Sequence, residues 1–448
     1  MFKLACLIVI YLLFPNYLFA GFVYVKLLAA LFFCILYIRV ECLSLSNRWF
    51  DGFTKLCLSY SALAYLPPLF DFNSYLINEA FIQPLTLVLY ALFPVFLLNK
   101  NLLRRPNDVV LLNSFSLKGL STSFGYSKAV FFLFYALALL VFLFQLLPSN
   151  ILSLYQADFV GRARYVAPFT HPYGLTFSIL CLTFSLLITR SVRIVYLRLS
   201  LTFMEVMQLL VVIGISSLIL ILSQSKTSIL YLLFILVCFL HLIFCAVFLS
   251  SKKFKSVVLS FIVVISFLFL PPFVLSSSVF SVFSASFFFL DDQSISRSIA
   301  YSQASSVDTL SLGDYLSNMF NALLYSGSTQ NRLEELSIFN TANAFNIVAG
   351  HGFGYIKVAN LDETLPSYLL FTFGALGFLL FLLFIAWFFS FVFYIPLRYI
   401  SFTILFLFFM VLTFLASPAI FSPSTFLLYI FSWLVILDSL SFLRLKSA

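Results

Sequence analysis

Charged residues are scarce in this chain. Only 9% of its 448 residues are Asp, Glu, Lys or Arg, whereas 63% are hydrophobic. A soluble domain carries about a quarter charged residues, and it could not hide this much hydrocarbon from water. The composition therefore excludes a cytosolic enzyme, a disordered chain and a secreted disulfide domain.

Metal-binding and disulfide patterns are also lacking. The seven cysteines lie in or beside apolar runs, and no CxxC pair occurs among them. The three histidines form neither an HxxxH nor an HExxH pair. Because zinc sites usually show such spacings, we expect no bound metal and no structural disulfide.

Long continuous apolar runs dominate what is present. A membrane-spanning helix needs about 20 mainly apolar residues, and a β-barrel would instead show alternating strands of roughly ten. We predict an all-α polytopic membrane protein with about twelve transmembrane helices. The predicted spans are 1–14, 22–40, 53–68, 84–98, 130–147, 172–189, 201–222, 229–250, 256–275, 368–394, 399–415 and 426–443.

The positive charges fall in alternate loops between these spans. The net charge is +9, but no solvated domain carries a basic patch for nucleic acid. With twelve spans, the basic loops share one side with both termini, which is the positive-inside pattern of a bacterial inner-membrane protein with cytoplasmic termini. These cations are Lys3, Arg48, Lys55, Lys100, Arg104, Arg105, Lys118, Arg190, Arg193, Arg198, Lys252, Lys253, Lys255, Arg398, Arg444 and Lys446.

Two long loops face outward and divide the chain. Residues 1–275 contain the first nine spans and the outward loop 148–171, residues 276–367 form the second loop, and residues 368–448 contain the last three spans. The second loop holds eight of the sixteen acidic residues. Helical patterning at 315–324 and 332–347 predicts a folded helical cap, since long structureless connections are uncommon.

The outward loops contain few cations, so each of them is a candidate anion-binding residue. Arg162 and Arg164 flank Ala163, and an extended backbone would place both guanidiniums on one side. Two guanidiniums can grip a phosphate bidentately. Lys226 lies in the hydroxyl-rich turn SQSKTS. The alternative for all three cations is that they extend to lipid headgroups.

Arg332 follows Asn331, and Glu334 stands where a capping box has its acid. The first turn of a helix is electropositive, so a cation there favours a bound anion such as phosphate. The alternative is neutralisation by Glu334 or Glu335.

A glycine-rich segment, Gly350-His351-Gly352-Phe353-Gly354, follows that helix. Its three glycines permit positive φ and a close backbone approach to a ligand. It is not a dinucleotide fingerprint, because no strand precedes it. His171 and His351 both lie in outward segments. Each is either a surface or capping residue or a proton acceptor in a reaction.

Three stretches together resemble a known family. They are RARYVAPFTHPYGL at 162–175, LSQSKTSIL at 222–230, and NRLEELSIFNTANAFNIVAGHGFGYI followed by ETLPSYLLFTFGALGFLL at 331–380. With the two outward loops they resemble the O-antigen polymerase and ligase superfamily of bacterial envelope glycosyltransferases. Ligases of this superfamily carry a histidine just before the closing helix, and residues 363–367 contain none. The resemblance therefore favours a polymerase.

The resemblance implies polymerisation of undecaprenyl-diphosphate-linked oligosaccharide repeat units at the periplasmic face, without a cofactor or metal. Its partners would be that lipid-linked substrate, the bilayer and a chain-length regulator protein. It implies that Arg162, Arg164, Lys226 and Arg332 hold the diphosphate, that His171, Gly350, Gly352 and Gly354 belong to the substrate-binding loop, and that Glu363, Glu335 or His351 is the base, with Glu363 preferred.

Two other functions stay open. An O-antigen ligase would transfer finished glycan to lipid A–core. A lipid-linked oligosaccharide flippase is not an enzyme, and it should carry charges inside its helices around a central cavity. The predicted spans contain few charges, which disfavours a flippase and a general secondary transporter.

Overall fold

The fold is helical throughout the described part of the chain. The computed structural model describes residues 1–15, 22–38, 44–70, 76–98, 112–147, 149–152, 154–155, 166–169, 172–197, 202–223, 227–248, 344–353, 365–392, 395, 399–416 and 422–445. Its helices are α1 (Phe2–Leu13), α2 (Phe22–Tyr37), α3 (Ser44–Phe70), α4 (Ile77–Leu98), α5 (Leu112–Phe144), α6 (Ser149–Leu152), α7 (Pro172–Leu197), α8 (Phe203–Leu222), α9 (Thr227–Phe248), α10 (Ala344–Ala349), α11 (Leu365–Val392), α12 (Ile400–Ala416) and α13 (Pro423–Leu445).

Eleven of the twelve predicted spans coincide with one of these helices, and the twelfth, 256–275, lies outside the described residues. Among the described helices, six are long and apolar enough to cross a membrane. Four more apolar helices are 10–17 residues long. The all-α membrane class is therefore confirmed, and the number of about twelve spans stays a prediction. The six are Glu79–Leu97, Tyr126–Phe144, Tyr173–Tyr196, Phe203–Leu222, Tyr368–Ser390 and Thr425–Leu443.

Several helices extend beyond their apolar windows. Arg48 and Lys55 were expected in a loop, but α3 already begins at Ser44 and includes both. Arg190 and Arg193 likewise lie within α7, which continues to Leu197, and Lys118 lies within α5. The loop placement of these cations is therefore wrong. Their long side chains can extend from the end of a helix to the interface, so a cation does not have to end the helix.

The centre of the bundle is formed by α7 and α13. The spanning window of α7 is buried along its whole length and that of α13 is 94% buried, whereas those of α8 and α11 are 39% buried. Hydroxyl pairs join α7 to two neighbours: Thr183 Oγ1 lies 2.8 Å from Ser216 Oγ of α8, and Thr189 Oγ1 lies 3.0 Å from Ser439 Oγ of α13. Small hydroxyl side chains allow membrane helices to pack closely, so these contacts suit the central position of α7.

Large aromatic side chains join α3 to α13. Trp49 stacks on Trp433 with ring centroids 4.4 Å apart, and the Trp49 indole N–H donates to the Tyr429 hydroxyl at 3.2 Å. Tyr90 of α4 stacks on Phe426 at 3.8 Å. Aromatic pairs of this kind add to the free energy gained by burial, so they hold α3, α4 and α13 in fixed register.

The contacts define two ends of the bundle. At one end, the Leu45 amide donates to Ser441 at 3.2 Å, near the Thr189–Ser439 pair. We call it the basic end, because the three arginines whose side chains are described (Arg48, Arg190 and Arg193) lie there. At the opposite end, Tyr11 donates to the Pro423 carbonyl at 2.8 Å and Tyr155 donates to the Leu13 carbonyl at 2.7 Å.

The described residues belong to one compact unit, formed by Met1–Ser256 and Asn343–Ala448. A second unit, Val257–Ala342, lies outside the described residues. With it lie the predicted cap helix 315–324 and most of the predicted helix 332–347. The described remainder of the latter is the start of α10.

Candidate functional site

Three of the predicted site residues fall in the described part of the chain, namely Gly350, His351 and Gly352. We call residues 350–352 the glycine turn. The other predicted site residues lie outside the described residues: Arg162, Arg164, His171, Lys226, Arg332, Glu335, Gly354 and Glu363.

The glycine turn ends the short helix α10. Gly350 has φ +80° and Gly352 has φ +69°, and the Gly350 amide donates to the Asn346 carbonyl at 2.9 Å. Glycine takes this left-handed conformation at the end of a helix without a steric penalty. Both glycines therefore adopt the positive φ that their residue type permits.

The glycine turn pairs with a break in α11. Gly374 has φ +65° and ψ −170°, so the helical path is interrupted there. The Phe371 and Thr372 carbonyls just before the break accept hydrogen bonds from the amides of His351 at 2.7 Å and Gly352 at 3.0 Å. Backbone polar groups in an apolar bundle need such partners, so the turn and the break satisfy each other.

The other side of the glycine turn rests on the end of α3. Pro67 and Pro68 lie inside this helix and lack amide hydrogens, so the Ala64 carbonyl receives no hydrogen bond from position 68. A Cβ on Gly352 would lie 3.0 Å from that carbonyl oxygen. The close backbone approach that the glycines permit is thus made here to the protein's own helices, α3 and α11.

His351 is packed inside this contact. Its side chain is almost fully buried, and its ring stacks on Phe371 with centroids 4.6 Å apart and an interplanar angle of 10°. Burial lowers the pKa of His351, and a hydrogen bond with the Phe371 backbone offsets part of that decrease. The imidazole is therefore neutral near pH 7 and has the protonation state of a proton acceptor.

The chain just after the arginine pair is anchored at the opposite end. Val166, Ala167 and Phe169 are buried. A Cβ on Gly174, at the start of α7, would lie 3.4 Å from the Phe169 Cβ and 3.1 Å from the Thr425 Cγ2. This packing ties residues 166–169 to the first turns of α7 and α13.

Lys26 is a cation that the sequence reading overlooked. It lies at the opposite end, where its Nζ donates to the Phe14 carbonyl at 3.0 Å and stands 4.2 Å from the centre of the Tyr11 ring. A cation beside the C-terminus of α1 is favoured by the helix dipole. The signal that could have revealed it was a single lysine near the start of an apolar run.

Asp438 was also overlooked, as a single acid inside the last apolar span. It is fully buried on α13, accepts a hydrogen bond from the Tyr126 hydroxyl at 2.9 Å, and also accepts one from Ser46. It therefore joins α3, α5 and α13 at the basic end.

Comparison with known proteins gives no matching family model, no matching curated protein and no matching solved structure. Within the described residues, no group of three or more His, Cys, Asp or Glu side chains could hold a metal ion. The features that bear on function are therefore the motifs and the geometry of the opposite end.

We expect His351 to make the protein sensitive to acid. Because the folded pKa is lowered from 6.5, the unfolded chain takes up the proton first, and stability is lost as the pH falls below about 6.5. His351→Phe keeps a ring against Phe371 and removes the titration. Its melting temperature, followed by tryptophan fluorescence, should fall less than that of the wild type between pH 7.5 and pH 5.5. Equal decreases in the two proteins would contradict this origin of the acid sensitivity.

Proposed function

We propose that this protein is a polymerase that joins undecaprenyl-diphosphate-linked oligosaccharide repeat units at the periplasmic face of the bacterial inner membrane. Apolar spanning helices and the three motif stretches support this proposal. The observation that carries it is that two motif segments join the bundle at the same end. Residues 166–169 pack at the start of α7, and the glycine turn is held by the break in α11.

The proposed reaction is a glycosyl transfer. A sugar hydroxyl of one repeat unit attacks the anomeric carbon of the growing chain, and the bond from that carbon to the diphosphate oxygen breaks. Undecaprenyl diphosphate leaves with the bonding electrons, and a base takes the hydroxyl proton. Cations that stabilise the departing charge can act here without a metal. The proposed cations are Arg162, Arg164, Lys226 and Arg332.

The glycine turn has a clear part in this proposal. Arg332 precedes it in the chain, and Glu363, the preferred base, follows it. The turn itself is anchored on both α3 and α11. Glu335 and His351 are the alternative bases. Replacement of Glu363 or of Glu335 by glutamine should abolish the ladder only at the residue that acts as the base.

Deletion of the gene in its native host tests the proposed function. Gel analysis of the lipopolysaccharide should then show single repeat units on the core, because unlinked repeats are still transferred. Bare core would indicate a ligase or a flippase instead. An unchanged ladder would exclude all three functions.

Arg332→Ala is expected to abolish the polysaccharide ladder. Loss of one group that stabilises departing charge costs a factor of about 100–1,000 in rate. Lys55→Ala is the matched control, because Lys55 is an exposed cation on α3 that pairs with Asp51 at 2.8 Å. Both variants should reach the membrane at wild-type levels on an immunoblot. A normal ladder from Arg332→Ala would remove Arg332 from the mechanism.

A further inference from the structure

The glycine turn lies well inside the ends of the two helices that hold it. The Phe371 and Thr372 carbonyls, which accept hydrogen bonds from its amides, fall within the spanning window of α11, Tyr368–Ser390. On α3, the turn rests against the Ala64 carbonyl, six residues before the helix ends at Phe70. At 1.5 Å of rise per residue, this contact lies roughly 9 Å from the end of α3 along the helix axis.

The short helix α10 connects the end of α3 to this depth. The ring of Phe345, near the start of α10, contacts the ring of Phe70 with centroids 4.8 Å apart. Seven residues later, Gly352 has reached the level of Ala64. Residues 344–353 therefore run from the end of α3 toward the interior of the bundle, although the twelve-span prediction places them in the outward loop 276–367.

The backbone of the glycine turn suits a membrane environment. Each of its three amides donates to a backbone carbonyl, and all three of its residues are buried. Non-helical backbone occurs at membrane depth only where its polar groups are satisfied by protein or by water. The turn meets this condition, and residues 344–353 contain no Asp, Glu, Lys or Arg.

The outer face of α10 is apolar and exposed. Phe345, Ile347 and Val348 are exposed, Val348 by 55% of its surface. Leu69 and Phe70 at the end of α3 are also exposed. An exposed apolar patch of this kind marks an interaction surface. At the depth of the spanning window of α11, the medium that meets such a face is the hydrocarbon of a bilayer.

We infer that residues 344–353 form a re-entrant segment, which enters the membrane at the opposite end of the bundle and whose exposed side chains contact the hydrocarbon chains of the bilayer lipids. Two irregularities in its neighbours receive the segment: Pro67 and Pro68 leave a carbonyl of α3 without its helical donor, and Gly374 interrupts α11. A segment in a water-exposed cap would instead carry polar side chains on its outer face. The inference does not depend on the proposed polymerase activity.

Spin labels on introduced cysteines test this placement in the full-length protein, reconstituted into phospholipid vesicles. Oxygen concentrates in hydrocarbon and a nickel chelate stays in water, so electron paramagnetic resonance of a label shows which medium surrounds it. For Val348→Cys and Ile347→Cys, we expect more collisions with oxygen than with the chelate. Leu379→Cys, at an exposed position in the spanning window of α11, is the control for hydrocarbon. Lys55→Cys, at an exposed position near the basic end, is the control for water and should show the reverse order.

Wild-type protein treated with the same label gives the background from the native cysteines, and the described ones are buried or half-buried. A size-exclusion profile like that of the wild type shows that each variant is folded. More collisions with the chelate than with oxygen at either Val348 or Ile347 would overturn the inference. Protection from both reagents would also overturn it, because α10 would then be covered by protein and not by lipid.

Discussion

Gly374→Ala is expected to prevent the protein from reaching its native fold. Gly374 has φ +65° and ψ −170°, a conformation that is essentially limited to glycine. A Cβ there would lie 2.6 Å from the Val348 carbonyl carbon, and closer still to the oxygen of that carbonyl and to the Gly350 nitrogen. These atoms belong to the backbone, so a rotamer change cannot relieve the clash.

The expected loss for Gly374→Ala exceeds ~4 kcal/mol, which is the range of severe single substitutions. Little folded protein should be recovered from the membrane, as measured by size-exclusion chromatography and by tryptophan fluorescence during heating. Gly350→Ala should behave similarly, because its Cβ would lie 2.5 Å from the Gly374 nitrogen.

Gly214→Ala is the matched control for these two variants. Gly214 also lies in a spanning helix, α8, but a Cβ there has no neighbouring atom within 4 Å. Alanine has the higher helix propensity by up to about 1 kcal/mol, so stability should be unchanged or slightly increased. A wild-type melting temperature for Gly374→Ala would show that the break in α11 does not require glycine.

Asp438→Ala is the second substitution with a large expected effect. The carboxylate is fully buried and accepts hydrogen bonds from Tyr126 and Ser46. Alanine would leave both hydroxyls without this acceptor and create a cavity where α3, α5 and α13 meet. A hydrogen bond to a carboxylate contributes about 1.5–3 kcal/mol, so loss of the two gives an expected total of ~3 kcal/mol or more.

The loss can be measured as a decrease of roughly 3 °C or more in melting temperature in detergent. Asp438→Asn retains the shape and one acceptor oxygen, so it should lose less. Asp51→Ala is the control, since Asp51 is exposed on α3 and pairs only with Lys55 one turn away among the described residues; it should change stability by about 0.5 kcal/mol or less. An Asp438→Ala protein as stable as Asp51→Ala would contradict a structural role for the buried carboxylate.

The positions of the helices could be predicted because they depend on local composition. A run of apolar residues has to be removed from water, and a helix satisfies its own backbone within the run. The ends were less predictable. At Arg48 and Arg193 the helix continues through charged residues, because their polar groups extend away from the helix axis.

The glycine turn was predictable only in part. Positive φ at Gly350 and Gly352 follows from the residue type and from the end of a helix. Nothing local indicated that Gly374 would supply the matching break. The two backbone segments meet only when α10 packs on α11, so the contact is a property of the folded chain.

The ion pairs at Glu205 were also predictable only in part. Arg190 and Arg193 were expected among cations facing the cytoplasm, and the structure places both of them at the basic end. That one carboxylate on α8 engages both side chains depends on how α7 packs against α8. Composition shows that the charges exist, but only packing shows which of them meet.

The amino-acid order alone determined that this is a helical membrane protein and where most of its described helices lie. Those properties arise from short-range hydrophobicity and charge. Tertiary structure decided that α7 and α13 are central, that Gly374 interrupts α11, and that Asp438 and Lys26 are buried against distant backbone and hydroxyl groups. Such contacts join residues far apart in the chain, and their energies exist only once the helices have packed together.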